Sequence, residues 1–371
     1  MLQHSHTRQR YLTEFLSALR SDLPLYIMTG SFFLVGTLYV VATGHDVLGM
    51  LDTYAFKWSV NFGIFGPLFV FTIGAIHIAM RTSGRKILAY RTMFWPRRLA
   101  RYIAGTVFLM TGGLLFTSTF SSIKTSFPER AGFPLDQLHA DIDKMLHFGV
   151  DPFHLLYSFS KHEWVLRVIE MNYNVLWFIV CYFVLYFVVT SPRTNAVRLR
   201  FAFTWFGSWI VVGTVLASQF LSAGPVYYGR VTGDVARFAD QNAFVTLTSH
   251  LPGSASTFQE YLWYLHASGQ LGLGSGISAF PSMHVALITV IALFAGEYSR
   301  KLGSVVWAYV ALIQFSSVYL GWHYAIDGYV SLVVVTGLYW ALRKLWPVLP
   351  RLRWHTPVPQ PQEAPVFARS Q

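Results

Sequence analysis

NVLWFIVCYFVLYFVVT occupies residues 174–190 without a single charged side chain. A hydrocarbon core about 30 Å thick takes roughly 20 apolar residues in a helix. Inside lipid a helix satisfies its own backbone hydrogen bonds, which an open strand cannot do. The stretch therefore reads as a membrane-spanning helix. SLVVVTGLYWAL (331–342), with its upstream extension, is the next clearest. Working outward from these, eight segments qualify: about 24–43, 60–80, 102–121, 172–190, 203–221, 281–296, 304–321 and 327–342. The expected fold class is all-α, a polytopic membrane helix bundle.

Composition agrees. Of 371 residues 54% are hydrophobic and only 12% charged, with mean hydropathy +0.43. That charged fraction is about half that of a soluble domain. The 12 Trp and 20 Tyr suit a chain with many side chains at lipid–water interfaces. Cys181 is the single cysteine, so no intrachain disulfide forms and the redox compartment is not legible.

A formal net charge of +11 raises the question of nucleic acid, and the loops answer it. Twenty of the 28 basic residues fall on one side: the N-terminus, the loop 81–101, Arg193 to Arg200, Arg300 with Lys301, and the tail. The opposite side holds 13 of the 17 acidic residues. Alternate loops obey the positive-inside pattern throughout, which predicts an even number of spans and both termini in the cytoplasm. The basic excess is then topological and lipid-directed, with no nucleic-acid partner. The first span reads as a retained signal anchor, because no small-residue cleavage site follows it. Three regions are expected: 1–100 with two extra spans and a basic cytoplasmic loop, a six-helix core over 101–345, and a Pro-rich tail over 346–371.

Two outer segments are long. Within 122–171, Leu135, Leu138, Ile142, Met145 and Leu146 recur at helical spacing among Asp136, Asp141, Asp143 and Lys144. This predicts an amphipathic helix lying on the outer leaflet, acting as a lid or spacer. The other segment, 222–280, is rich in Gly, Ser and aromatic residues. Its Gly272-x-Gly274-x-Gly276 run follows no strand, so it reads as a tight bend and not as a dinucleotide loop.

Two stretches carry chemistry. In SGISAFPSMHVALITV (275–290), Pro281 and Ser282 are helix-start residues, so free backbone N–H groups sit beside His284. In SSVYLGWHYAIDGYVS (316–331), His323 and Asp327 are four apart and share a helical face. A carboxylate on one ring nitrogen fixes the tautomer and presents the other as a nucleophile. A lone interfacial histidine is usually a headgroup or backbone partner. Three ionisable groups at one depth are costly enough to argue for function. His77, His139, His147 and His154 lack that context and read as structural.

At these residues the chain resembles the type 2 phosphatidic acid phosphatase superfamily of lipid phosphatases and phosphotransferases. Phe280-Pro281-Ser282-Met283-His284 is similar to that family's second motif, and Gly321-Trp322-His323-Tyr324-Ala325-Ile326-Asp327 to its third. The resemblance covers about 200–345. It implies that His323 forms a phosphohistidine, that Asp327 orients it, and that His284 protonates the leaving oxygen and then activates water or an alcohol. It implies no metal and no cofactor. The first motif, a Lys and an Arg-Pro pair, is not recognisable, and Ser317 stands where an Arg precedes the third motif. This simplified pattern is similar to the inositolphosphotransferase branch that includes inositol phosphorylceramide synthase. There SAGPVYYGR (222–230) takes the place of the first motif, making Arg230, Tyr227, Tyr228 and Ser282 the expected substrate contacts, with Arg237 in reserve.

The partners so implied are a lipid phosphate within the membrane and an alcohol acceptor such as inositol or ceramide. The site would face the periplasm of a bacterial inner membrane or the lumen of a eukaryotic endomembrane. Two other classes fit the same residues: a proton-coupled transporter using the His/His/Asp set as a relay, and a metal hydrolase using it as ligands.

Overall fold

The computed structural model describes residues 2–45, 48–81 and 84–348, and its regular elements are all helical. Most of the expected tail, 346–371, lies outside the described residues. Helix α1 runs Leu2–Ala42, α2 Met50–Arg81 and α3 Pro96–Ala131. Two helices off the bundle follow, α4 Asp136–Leu146 and α5 Pro152–Ser160. Next come α6 Glu163–Thr190 and α7 Pro192–Gln219, then the short α8 Ala239–Val245 and α9 Ala255–Ser268. The last three are α10 Met283–Tyr298, α11 Arg300–Tyr319 and α12 Ala325–Val348.

Among the described residues seven helices are long and apolar enough to cross a membrane, so the chain is a polytopic helical membrane protein. The eighth expected span, 281–296, is α10, which has only 16 residues, about 24 Å of helix. Its shortness has a physical reason. Val285 to Val290 and Ala292 are all buried by neighbouring helices, so α10 is matched to protein and not to lipid. It meets α11 through Gly303, where an added Cβ would lie 2.7 Å from the Gly296 Cα. Small residues at such crossings let backbones approach without a hydrophobic driving force. Only Ser299 separates α10 from α11, and it caps α11 by accepting the Leu302 N–H at 3.5 Å.

Four spans carry a π-helical turn: Ser59–Phe65 in α2, Leu109–Gly113 in α3, Asn172–Leu176 in α6 and Val211–Leu216 in α7. α3 also runs well past the expected end at residue 121. Its Ser and Thr hydroxyls bond back to carbonyls one turn earlier, Ser118 to Leu114 at 2.9 Å and Thr125 to Ser121 at 2.8 Å, so the polar run stays helical inside the bundle.

The first two helices pack into the bundle. Phe32 of α1 stacks on Phe116 of α3 at 4.3 Å, and a Cβ at Gly36 would collide with Thr119. Trp58 of α2 covers Gly113, and Phe62 stacks on Tyr186 at 6.1 Å. Near the start of α3 and α7, Arg101 and Arg198 both close on the fully buried Asp22 of α1. Ser21 supports them, accepting from Arg101 at 3.2 Å and Arg198 at 3.0 Å.

Removing the shared carboxylate strands two buried guanidinium groups, which costs about 3–5 kcal/mol for a broken buried pair. Asp22→Ala should therefore lower the unfolding midpoint in detergent micelles sharply, whereas Glu14→Ala, at a half-buried position of the same helix, serves as control. Equal midpoints for the two variants would show that the triad does not hold α1 in place.

Candidate functional site

Because α10, α11 and α12 alternate in direction, the start of α10, the end of α11 and the start of α12 lie at one end of the bundle. Both motifs are there, and a backbone hydrogen bond joins them: the Ser282 N–H donates to the Asp327 carbonyl at 3.1 Å. Ser282 is fully buried, and its hydroxyl caps α10 by accepting the Val285 N–H at 3.5 Å. Its role is thus at least a helix cap, worth about 1 kcal/mol.

After α11 the chain turns at Gly321, whose φ of +74° only glycine adopts freely. The Trp322 and His323 N–H groups both donate to the Ser317 carbonyl, at 3.1 and 3.3 Å. Ser317 is fully buried at this turn, which leaves no space for an arginine side chain. His323 is 8% exposed and Asp327 0%. One carboxylate oxygen of Asp327 accepts from His323 Nδ1 at 3.2 Å and from the Tyr324 N–H at 3.1 Å. Burial pushes the His323 imidazole down to about 3; a backbone hydrogen bond with Ala279 opposes this and the nearby Lys124 charge adds to it. The ring is therefore neutral at physiological pH.

His284 lies flat on Tyr173, with ring centroids 4.1 Å apart and planes at 12°, and against Trp177 at 4.0 Å. Trp177 Nε1 donates to the His284 carbonyl at 3.0 Å. Tyr173 belongs to the π-helical turn of α6, a feature often found at functional sites. His284, His323 and Lys124 are within electrostatic reach of one another. The two histidines, Asp327 and Ser282 are thus brought together.

Lys124 was missed from sequence. Its position in SSIKTSF (121–127) was assigned to a loop, because the span was ended at residue 121. The available signal was a single cation amid apolar and hydroxyl residues just upstream of a helix break. Among the described residues its ammonium has no hydrogen-bond or ion-pair partner.

The three expected contacts of 227–230 do not reach the histidines. Arg230 pairs with Glu260 at 2.5 Å and lies over Trp263 at 5.0 Å. Tyr227 donates to the Gln259 carbonyl at 2.8 Å, and Tyr228 packs edge-on against Phe238 at 5.0 Å. Arg237 is held by Asp141 and Asp151, at 2.6 and 2.9 Å. The turn at 228–232 directs Arg230 away, a consequence no local spacing reveals. The front of the same segment is at the site: the Ser222 carbonyl accepts the Ala279 N–H at 2.8 Å, and Val226 N–H donates to the Gly321 carbonyl at 3.0 Å. Gly224 lies so close to the third motif that a Cβ would come within 2.6 Å of the Trp322 carbonyl oxygen. Among the described residues Ser222 Oγ, Trp322 Nε1 and Asp327 Oδ1 are buried without a hydrogen-bond partner, so this end of the bundle holds unused polar atoms. No three His, Cys, Asp or Glu side chains among the described residues are grouped to share a metal ion.

Helix α4 forms where expected, but its inner face is polar: Asp136, His139, Ala140 and Asp143 are buried, while Leu138, Met145 and Leu146 are exposed. It is more than a spacer. Asp136 accepts the Ala223 and Gly224 N–H groups at 2.7 and 2.9 Å and the Tyr324 hydroxyl at 2.7 Å. Asp143 accepts the Ala325 and Ile326 N–H groups at 2.6 and 2.9 Å, closing the N-terminus of α12. Burial raises the Asp143 carboxyl from near 3.8 to about 6, against these two bonds and the charge of His147, with Asp151 adding to the rise.

A carboxyl whose folded value lies above its unfolded one stabilises most when protonated, so its contribution is lost as pH rises from about 4 to about 6. The unfolding free energy of the native chain minus that of Asp143→Asn should fall across this window, on the order of 3 kcal/mol. Denaturant titrations at stepped pH check it, and a flat difference would mean that the carboxyl titrates normally.

Comparison with known proteins follows this geometry. No curated protein and no solved structure matches the chain. A family model, described as the PAP2 superfamily, matches residues 137–341, more than half of the sequence, and takes in both motifs, α10, α11 and most of α4 and α12. The chain is a member of the PAP2 superfamily.

Proposed function

We propose that this chain is a membrane lipid phosphatase or phosphotransferase that works through a phosphohistidine on His323. The observation that carries the reading is the buried His323–Asp327 pair, joined through Ser282 to the helix start that presents His284. Membership of the PAP2 superfamily supports phosphatase- or phosphotransferase-type chemistry in general.

The geometry supports the following roles. Asp327 engages Nδ1, and Nε2 attacks phosphorus once substrate displaces its contact with Ala279. The N–P bond forms as the bond from phosphorus to the leaving oxygen breaks, and His284 delivers a proton to that oxygen. Water or an alcohol then attacks phosphorus, His284 takes its proton, and His323 is freed. Asp327 balances the imidazolium-like charge that develops on His323. Lys124 supplies the cation for the phosphoryl oxygens that neither Arg230 nor Arg237 provides from their ion pairs. Positioned charge of this kind is the main source of rate in phosphoryl transfer. The basic loops lie at the opposite end of the bundle, which favours a site on the outer leaflet with both termini in the cytoplasm.

The absent Arg at position 317 and the SAGP segment (222–225) ahead of both motifs favour the inositolphosphotransferase branch, with a phospholipid or a polyprenyl or sphingolipid phosphate as donor. Incubating the purified protein with a phosphate-labelled phospholipid, with and without inositol or a ceramide-like acceptor, separates transfer from hydrolysis. His323→Ala should abolish both turnover and the acid-labile protein adduct. His284→Ala should slow turnover about 10²–10⁴-fold, with the first half restored by a substrate whose leaving group needs no proton. Turnover that persists in His323→Ala would end the covalent scheme. Proton-coupled uptake into vesicles, without any hydrolysis, would instead identify the same residues as a transporter's relay.

A further inference from the structure

The second of the two helices before the core, α2, reaches the loop that leads to His284. Tyr54 of α2 is partly buried, and its hydroxyl oxygen accepts from Ser121 Oγ of α3 at 2.9 Å and from the Gly274 N–H at 3.2 Å. Ser121 and Lys124 are three residues apart and share a face of α3. The loop follows that face: Ser275 Oγ lies 3.2 Å from Thr125 Oγ1. At Gly276, φ is +90° and a Cβ would come within 2.8 Å of the Lys124 carbonyl carbon. A few residues on, Ala279 hydrogen-bonds the His323 ring and the Ser222 carbonyl, and α10 begins. One tyrosine hydroxyl therefore ties together the helix bearing Lys124 and the loop that sets both histidines.

We propose that Tyr54 is a positioning residue for the phosphoryl site: its hydroxyl fixes the loop 274–276 against α3, and so fixes the Lys124 ammonium relative to His284 and His323. Helix α2 then completes the site for a phosphate ester and is more than an anchor. The role rests on the phosphoryl-transfer reading above. It acts through Lys124, so its signature is coupling and not simple loss.

The test is a double-mutant cycle in the full chain with Tyr54→Phe, Lys124→Met and the double variant, read as kcat and KM on a labelled lipid phosphate. Tyr54→Phe should lower kcat about ten- to a hundredfold with KM nearly unchanged, and should add little in the Lys124→Met background. Ser121→Ala, which removes the hydroxyl's donor and leaves the ring packed, should reproduce the effect if Tyr54→Phe fails to fold. Losses that multiply independently, or a Tyr54→Phe enzyme with native kcat, would overturn the inference. Orthophosphate added during thermal unfolding gives a readout without turnover: stabilisation of the native chain should weaken in Tyr54→Phe and in Lys124→Met. If the native chain neither hydrolyses nor transfers, the functional reading fails. A native chain stabilised by orthophosphate equally with and without the Tyr54 hydroxyl sinks the positioning role alone.

Discussion

The hydrogen bond from the Ser282 N–H to the Asp327 carbonyl is the constraint on which this end of the molecule depends. It fixes the start of α10 to the first turn of α12, two elements with their own reasons to place a histidine nearby. Alone it is worth little, about 0.5–1.5 kcal/mol net. It is effective because buried carboxylates hold its surroundings rigid. Asp136 secures the backbone at 223–224, Asp143 closes α12, and Glu170 accepts from Thr248 and from Ala255 at the start of α9, at 2.7 and 2.8 Å. Each satisfies N–H groups that would otherwise be stranded at a helix or loop start. Geometry that chemistry requires to be accurate is thus set by acids that take no part in it.

The same economy of space explains the missing arginine. Ser317 sits where the turn after α11 needs its carbonyl for two N–H groups, with no exposed surface left. The positive charge arrives instead from α3, on a lysine whose helix passes beside the loop 274–276. In the proposed mechanism a point charge from a flexible side chain replaces a bidentate fork, so orientation of the phosphoryl group would fall to the surrounding backbone.

Much of this was legible in the sequence, because the signals were local. Eight apolar segments gave eight helices, and the spacing of His323 and Asp327 gave their pairing. What failed was long-range or hydroxyl-mediated. Ser118 to Thr125 read as the end of a span on hydropathy, yet their hydroxyls are satisfied within α3, so Lys124 was assigned to a loop. Arg230 follows SAGP closely in sequence, but Glu260 and Trp263 draw it away. For α4 the helix itself was legible from the spacing; the importance of its polar face lay in distant backbone groups that spacing does not encode.

The triad around Asp22 bears on how the chain is built. The carboxylate is delivered with α1, its first guanidinium with α3, and its second only with α7. The three partners are therefore far apart along the chain, and the acid on α1 reaches its full complement of cations only when both α3 and α7 are in place. One side chain thus makes the seating of α1 conditional on two other helices.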